Sequence, residues 1–299
     1  MGSVGIAAAP LPTEHASAGH PERPERLEAI LRQLESRGLR ARMRELAPRE
    51  PGPAELLSVH APGVVERLDA LAESGGGGVD PDTYVTPGSP AAARGAAGAA
   101  LAATEAVIAG EVGSAFCAVR PPGHHATGDR SMGFCLLNNV AIAAARALAA
   151  GVERVAVVDW DVHHGNGTQQ IFEGEGRVLY ASTHASPFYP GTGLAHETGQ
   201  GDARGTTLNL PLPAGTGDAG FVACYEQAVI PALERFEPGL VLVSCGWDAH
   251  ARDPLAPLRV STAGYTRVAG LVLGAARRLA GGRLVVALEG GYDLSLIHI

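Results

Sequence analysis

The stretch Val155-Ala-Val-Val-Asp159-Trp-Asp161-Val-His163-His164-Gly165-Asn166-Gly167 constrains this chain more than any other. A short apolar run ends in three polar, metal-competent side chains at every second position. Successive residues of an extended strand point to opposite faces, so Asp159, Asp161 and His163 can project to one side. Two carboxylates and an imidazole on one face, just past a buried strand, suit a divalent metal ion. Alone, such an Asp-x-His reads as a strand ending in a polar loop with an incidental hydrogen bond. Four other strand-like segments ending in equally unusual chemistry weaken that reading.

The rest of the chain has the periodicity of alternating strands and helices. Leu27, Ile30, Leu31 and Leu34 recur at helical spacing after Gly19-His-Pro-Glu-Arg-Pro-Glu-Arg26. The glycine run at 75–78 reads as a flexible surface loop, and the Ala-rich segment 90–110 as a helix. Strands are predicted at 114–119, 155–158, 178–182, 240–244 and 284–288. Helices are predicted at 138–150, 219–236 and 262–279, with a short one starting at 168–172. Short apolar runs alternating with helical patterns imply parallel βαβ units in a sheet covered on both faces. The fold class is thus α/β, three αβα layers around a mostly parallel sheet. No repeat or linker divides the 299 residues, and one domain is expected.

Hydrophobic residues make up 46% and charged residues 18%, which supplies a core and argues against bulk disorder. With 23 Lys+Arg against 31 Asp+Glu the net charge is −8. A sequence-independent nucleic-acid binder needs a basic footprint, so no nucleic-acid partner is expected. Cys117, Cys135, Cys224 and Cys245 are far apart and form no Cys-x-x-Cys, consistent with free thiols in a reduced, cytoplasmic protein. No apolar run is long enough to span a bilayer, and no signal peptide is apparent.

In open α/β sheets, ligands bind outside the carboxyl ends of the strands. Five predicted strands are followed there by titratable or metal-binding groups. These are Arg120-Pro-Pro-Gly-His124-His125, the Asp-x-Asp-x-His segment, Ser182-Thr183-His184, Cys245-Gly-Trp-Asp248-Ala-His250, and Glu289-Gly290-Gly291-Tyr292. Together the motifs resemble the zinc-dependent histone deacetylase family, including its bacterial class II-like amidohydrolases and the acetylpolyamine amidohydrolases. The resemblance runs from about residue 19 to 294 and implies the arginase/deacetylase fold.

It also implies roles, position by position. Asp161, His163 and Asp248 would hold Zn2+, with Fe2+ possible, leaving coordination open for catalysis. His125 would act as general base and then as acid to the leaving amine. His124 would sit beside it, backed by Asp159, while Asn166 pairs with His125 where other branches place Asp. Tyr292 would donate to the oxyanion. Phe134 and Tyr189 would line a narrow substrate tunnel, with the Gly133 carbonyl accepting from the substrate amide and Leu255 at the mouth. Ser182, with the main chain around Asp159, Asp161, His163 and Thr183, would bind K+. Trp160, Trp247 and His164 read as packing or support. His15, His20, His60, His184, His196 and His250 read as solvated or core histidines.

The implied reaction is deacetylation of an acetyl-lysine peptide or protein, or of an acetylated polyamine. Family members selective for polyamines place Glu at the position of Leu255, which favours the peptide. A catalytically inactive acyl-lysine-binding homologue would lack Tyr292, His125 or a metal ligand, and a two-metal ureohydrolase of the arginase type needs more carboxylates at these strand ends. Two departures stand out. The first strand expected before Gly19 is missing or unrecognisable in residues 1–18. The chain also stops at Ser295-Leu-Ile-His298-Ile299 without the helix that should cover its last strand, which suggests atypical or truncated ends; His298 reads as incidental.

Overall fold

The computed structural model describes residues 3–9 and 13–294, so the tail with His298 lies outside the described residues. Strands run in the order β1 (Val4–Ala8), β2 (Met43–Glu45), β3 (Gly77–Asp80), β4 (Thr83–Val85), β5 (Ser114–Ala118), β6 (Val155–Asp159), β7 (Val178–Ala185), β8 (Thr207–Leu212), β9 (Leu240–Cys245) and β10 (Leu284–Leu288). The helices are α1 (Glu25–Ser36), α2 (Pro53–Leu56), α3 (Pro62–Glu73), α4 (Ser89–Ile108), α5 (Asn139–Ala149), α6 (Asn166–Phe172), α7 (Asp218–Cys224), α8 (Ile230–Phe236) and α9 (Thr262–Leu279). Eight strands form one sheet in the order β2-β1-β5-β10-β9-β6-β7-β8, with parallel pairing throughout.

The apolar runs are continuous because both faces of this sheet are covered. Along β6, Val155 and Val157 pack into the cluster under α4 and α5, while Ala156 and Val158 face the cluster under α7 to α9. The predicted helix at 138–150 is α5, and Asn138 caps it by accepting a hydrogen bond from Ala141 N at 2.9 Å. The predicted helix at 219–236 is observed as α7 and α8, joined through a π-helical turn at Tyr225–Val229. No helix among the described residues is long and apolar enough to cross a membrane.

Two expectations are corrected. The first strand is present: β1 lies between β2 and β5, with Ile6 opposite Phe116. Its small residues hide it from a propensity reading, and tertiary packing requires them. A Cβ at Gly5 would stand 2.6 Å from Leu46 Cδ1. The glycine run is not wholly a loop either. Gly77 and Gly78 belong to β3, which pairs antiparallel with β4 in a small hairpin.

The Gly19-His-Pro-Glu-Arg-Pro-Glu-Arg26 motif supplies a buried ion cluster that ties the N-terminal segment to the sheet. Arg120, at the end of β5, donates from Nε to Glu22 Oε1 at 2.8 Å and from Nη2 to Glu22 Oε2 at 2.6 Å. Arg26 Nη1 donates to the same carboxylate at 3.2 Å. Burial works against the Glu22 charge, but the hydrogen bonds of His15 and Arg120 and the two guanidinium charges hold its carboxyl at about 2. The folded pKa is therefore below the unfolded value of 4.5. A depressed carboxylate contributes stability that is full above about pH 4.5 and is lost as the pH falls through about 2. At about 1.4 kcal/mol per pH unit the contribution is about 3 kcal/mol. In urea melts, Glu22→Gln should be less stable than wild type at pH 7, and the gap should narrow steadily below pH 4.5. A gap that stays constant to pH 2.5 would show that the carboxylate charge contributes nothing.

Candidate active site

Strands β5, β10, β9 and β6 lie side by side, so the loops leaving their carboxyl ends meet over one edge of the sheet. Strand β6 ends at Asp159, and the following bend, not strand alternation, carries Asp161 and His163. These two converge with Asp248, their ligating atoms all within 4.8 Å of one another. His163 Nδ1 is 3.0 Å from Asp161 Oδ1 and 3.3 Å from Asp248 Oδ2. The remaining carboxylate oxygens accept backbone hydrogen bonds, Asp161 Oδ2 from Gly290 N at 2.8 Å and Asp248 Oδ1 from Val162 N at 2.9 Å. A Cβ at Gly290 would come within 2.1 Å of Asp248 Oδ2, so only glycine lets the backbone approach both carboxylates.

The donor set fits a dication. Asp248 Oδ2 is buried and, among the described residues, accepts no well-formed hydrogen bond, with only His163 Nδ1 facing it at 3.3 Å, a costly state that a cation relieves. Two carboxylates and one imidazole are also ligands that zinc accepts. A second set, His124, Cys135 and Glu289, lies equally close together. Most of its donor atoms are already engaged: His124 Nδ1 faces Asp159, Glu289 accepts from Gly123 and His124, and Cys135 Sγ accepts from His125 N.

His124 and His125 both approach the metal set. His124 Nδ1 is 3.0 Å from Asp159 Oδ2, and its Nε2 is 3.8 Å from Asp161 Oδ1. Tyr180 also donates to Asp159 Oδ2, at 3.1 Å. His125 Nδ1 is 2.8 Å from Asn166 Oδ1, while Asn166 Nδ2 points to the Met132 sulfur at 3.4 Å. That arrangement places the proton of a neutral His125 ring on Nδ1 and leaves Nε2 basic.

Tyr292 stands opposite on the loop after β10. Arg26 lies 4.8 Å over its ring and donates through Nε to the Gly291 carbonyl at 2.7 Å. Buried Asp253 accepts from Tyr292 N at 2.7 Å and, with its other oxygen, from Leu255 N at 3.0 Å. Leu255 itself is 37% exposed. The Phe134 ring meets Tyr292 edge-on at 5.9 Å, and Tyr189 meets His125 edge-on at 5.2 Å. Phe134 has φ 67°, a left-handed conformation rare for a bulky residue, and its N–H is held by Thr83 Oγ1 at 2.9 Å. Gly133, just before it, donates to Asp80 Oδ2. Ser182 pairs with Asp159 in register on β7 and contacts His184 Nδ1 at 2.9 Å, and Thr183 contacts the Tyr225 hydroxyl at 3.0 Å.

Comparisons with known proteins place nearly the whole chain in a family. A sequence model of the histone deacetylase domain matches residues 20–298. The chain is 45% identical over 280 residues to the histone deacetylase-like amidohydrolase of Pseudomonas aeruginosa, covering 93% of this chain and 74% of that protein. It is 41% identical over 280 residues to a probable deacetylase of Archaeoglobus fulgidus, covering 93% and 78%. The crystal structure of the HDA15 HD domain superposes with a TM-score of 0.93 at 39% identity, covering 99% of this chain and 86% of that one. The chain belongs to the histone deacetylase family. It is a hydrolytic deacetylase of a family that is generally zinc-dependent.

In this deacetylase the two neighbouring histidines are pushed apart electrostatically. Burial opposes a charge on His124, yet Asp159, Asp161 and Glu289 outweigh it and hold its pKa well above the ordinary value. For His125, burial first and then the charge of His124 push the pKa well below it, and Asp161 and the Asn166 hydrogen bond only partly offset them. Burial raises the Tyr292 hydroxyl, Arg26 opposes it, and the charges of Asp248 and Asp161 add to the rise, so it remains a proton donor.

Several parts of the deacetylase site carry no signal that sequence reading assigned. Phe188 stacks on the His163 ring at 5.2 Å with planes 19° apart. Arg26 and Asp253 grip the Tyr292 loop from two sides. His164 and His184 are buried in a network running through Gln169 to Glu197, which accepts from Gly193 N and Leu194 N on the loop after Tyr189. His15 and His60 are buried and hydrogen-bonded as core histidines, and the cysteines are free thiols.

Proposed function

We propose that this deacetylase hydrolyses N6-acetyl-lysine in peptides or proteins, using Asp161, His163 and Asp248 as its zinc ligands. The supporting observation is the cluster of Asp161, His163 and the orphaned Asp248 oxygen, with His124 Nε2 3.8 Å from Asp161 and the His125 ring 5.7 Å from that of His163. Zinc, when bound there, supplies a Lewis acid that polarises the amide carbonyl and acidifies the attacking water. His125 Nε2 takes the proton from that water and later passes it to the leaving amine. His124 stays protonated and, anchored by Asp159, lends positive charge to the developing oxyanion. Tyr292 donates its hydroxyl proton to the same oxygen. Phe134 and Tyr189 flank the lysine methylenes, each worth about 0.8 kcal/mol when buried, and the Gly133 carbonyl accepts the substrate amide N–H. Ser182 and the main chain of Asp159, Asp161, His163 and Thr183 would hold K+ beside the zinc ligands and stiffen them.

The substrate preference rests on Leu255, whose apolar, part-exposed side chain accepts a peptide backbone at the mouth and offers no partner to a second ammonium. A second reading, an acetylpolyamine substrate, draws on the β3–β4 hairpin. Asp80 and Asp82 lie there, and after burial their charges contribute to raising the Tyr189 pKa. Measured kcat/KM for an acetyl-lysine peptide and for acetylspermidine separates the two. The peptide should be preferred, and Leu255→Glu should move the ratio toward the polyamine by about tenfold, the effect of a charge-assisted contact of 1–3 kcal/mol. A wild type that already favours acetylspermidine tenfold would overturn the lysine reading.

A further inference from the structure

The geometry points to Glu289 as a positioning residue that sets the base-bearing loop at a defined distance from the loop of Tyr292. Glu289 is fully buried at the end of β10, three residues before Tyr292. Its Oε2 accepts from Gly123 N at 2.6 Å and from His124 N at 3.2 Å, and its Oε1 accepts from Ser244 Oγ at 3.1 Å. The next N–H along, that of His125, is taken by Cys135 Sγ at 3.5 Å. Three successive amides of the histidine loop therefore end on side chains, two of them on one carboxylate. A buried loop with no ladder to join must place its N–H groups this way.

The same residue is locked at its own backbone. Glu289 N donates to Cys245 O at 3.0 Å, Gly290 N to Asp161 Oδ2 at 2.8 Å, and Arg26 donates to the Glu289 carbonyl. A single residue thus joins the β10 loop, which carries the oxyanion donor, to the β5 loop, which carries the histidines. The reach of its side chain, rather than its charge, determines the separation. The inference rests on the catalytic roles proposed above for His125 and Tyr292.

Reach and charge are separated by two variants. Glu289→Gln keeps the length and an acceptor oxygen while losing the charge. Glu289→Asp keeps the charge but withdraws the acceptor by on the order of 1 Å, a displacement that can cost about 10² in rate. In zinc-loaded enzyme acting on an acetyl-lysine peptide, kcat of the Gln variant should stay within about threefold of wild type, because Asp159 and Asp161, the larger influences on His124, are unchanged. The Asp variant should fall by about 10- to 100-fold, with KM within about twofold and the metal content unchanged, as for lost transition-state alignment. The amide proton shifts of Gly123 and His124 should move in the Asp variant more than in the Gln variant. That second readout needs no turnover, so it tests the Glu289 bonds even if the peptide is not a substrate. An Asp variant closer to wild type than the Gln variant would overturn the proposal, as would a kcat loss matched by metal loss. If the Asp variant does not fold, a tenfold or greater loss of kcat in Glu289→Gln would by itself overturn it.

Discussion

Replacing Asp248 by alanine is expected to empty the metal site and abolish turnover together. Asp248 and Asp161 come from different strand ends, and His163 Nδ1 faces both carboxylates. With Asp248 gone, one carboxylate and one imidazole remain, too few to hold zinc in a tetrahedral site that keeps a position open. The loss of the cation removes several kcal/mol of charge stabilisation from the transition state, so kcat should fall on the order of 10³-fold or more. Elemental analysis of the purified variant checks the binding half and peptide deacetylation checks the other. Stoichiometric zinc in Asp248→Ala would show that the ligand assignment is wrong.

Tyr292→Phe is expected to cost on the order of 10²–10³ in kcat, the effect of removing one oxyanion donor. KM should hardly change, because the hydroxyl meets an oxygen that becomes strongly basic only in the transition state. The metal should stay bound, since Asp161, His163 and Asp248 are all retained. The ring should also stay in place. Phe retains the stack under Arg26 and the edge contact with Phe134, and the backbone N–H remains on Asp253. A variant with near-normal kcat would show that the oxyanion is stabilised without this hydroxyl.

Much of the fold was legible because apolar runs and chemistry alternate along the chain. The runs at 155–158, 240–244 and 284–288 read as strands because each is long enough in β-branched and Leu residues to cross a sheet covered on both faces. β1 failed that reading since Val4-Gly-Ile-Ala-Ala8 has little propensity of its own and is a strand through its pairing with β5. The edge strand β8, Thr-Leu-Asn-Leu-Pro-Leu, was not predicted either. It alternates weakly, carries a proline, and needs β7 beside it to form.

By itself the sequence determined the parallel α/β layering and the metal-competent side chains at the strand ends, since those follow from periodicity and side-chain chemistry at local spacing, while the choice of Asp161, His163 and Asp248 as the metal set came from the family resemblance. It also placed His124, His125 and Tyr292 on loops that a parallel sheet must bring to one edge. Only the tertiary structure decided how the loops are held against one another: Glu289 under the histidine amides, Arg26 and Asp253 around Tyr292, and Phe188 against His163. These contacts join residues far apart in the chain, such as Arg26 and Gly291, and local periodicity carries no information about such pairs. They depend on the strand order, which sets β5, β10, β9 and β6 side by side, and that order is a property of the packed sheet rather than of any segment within it.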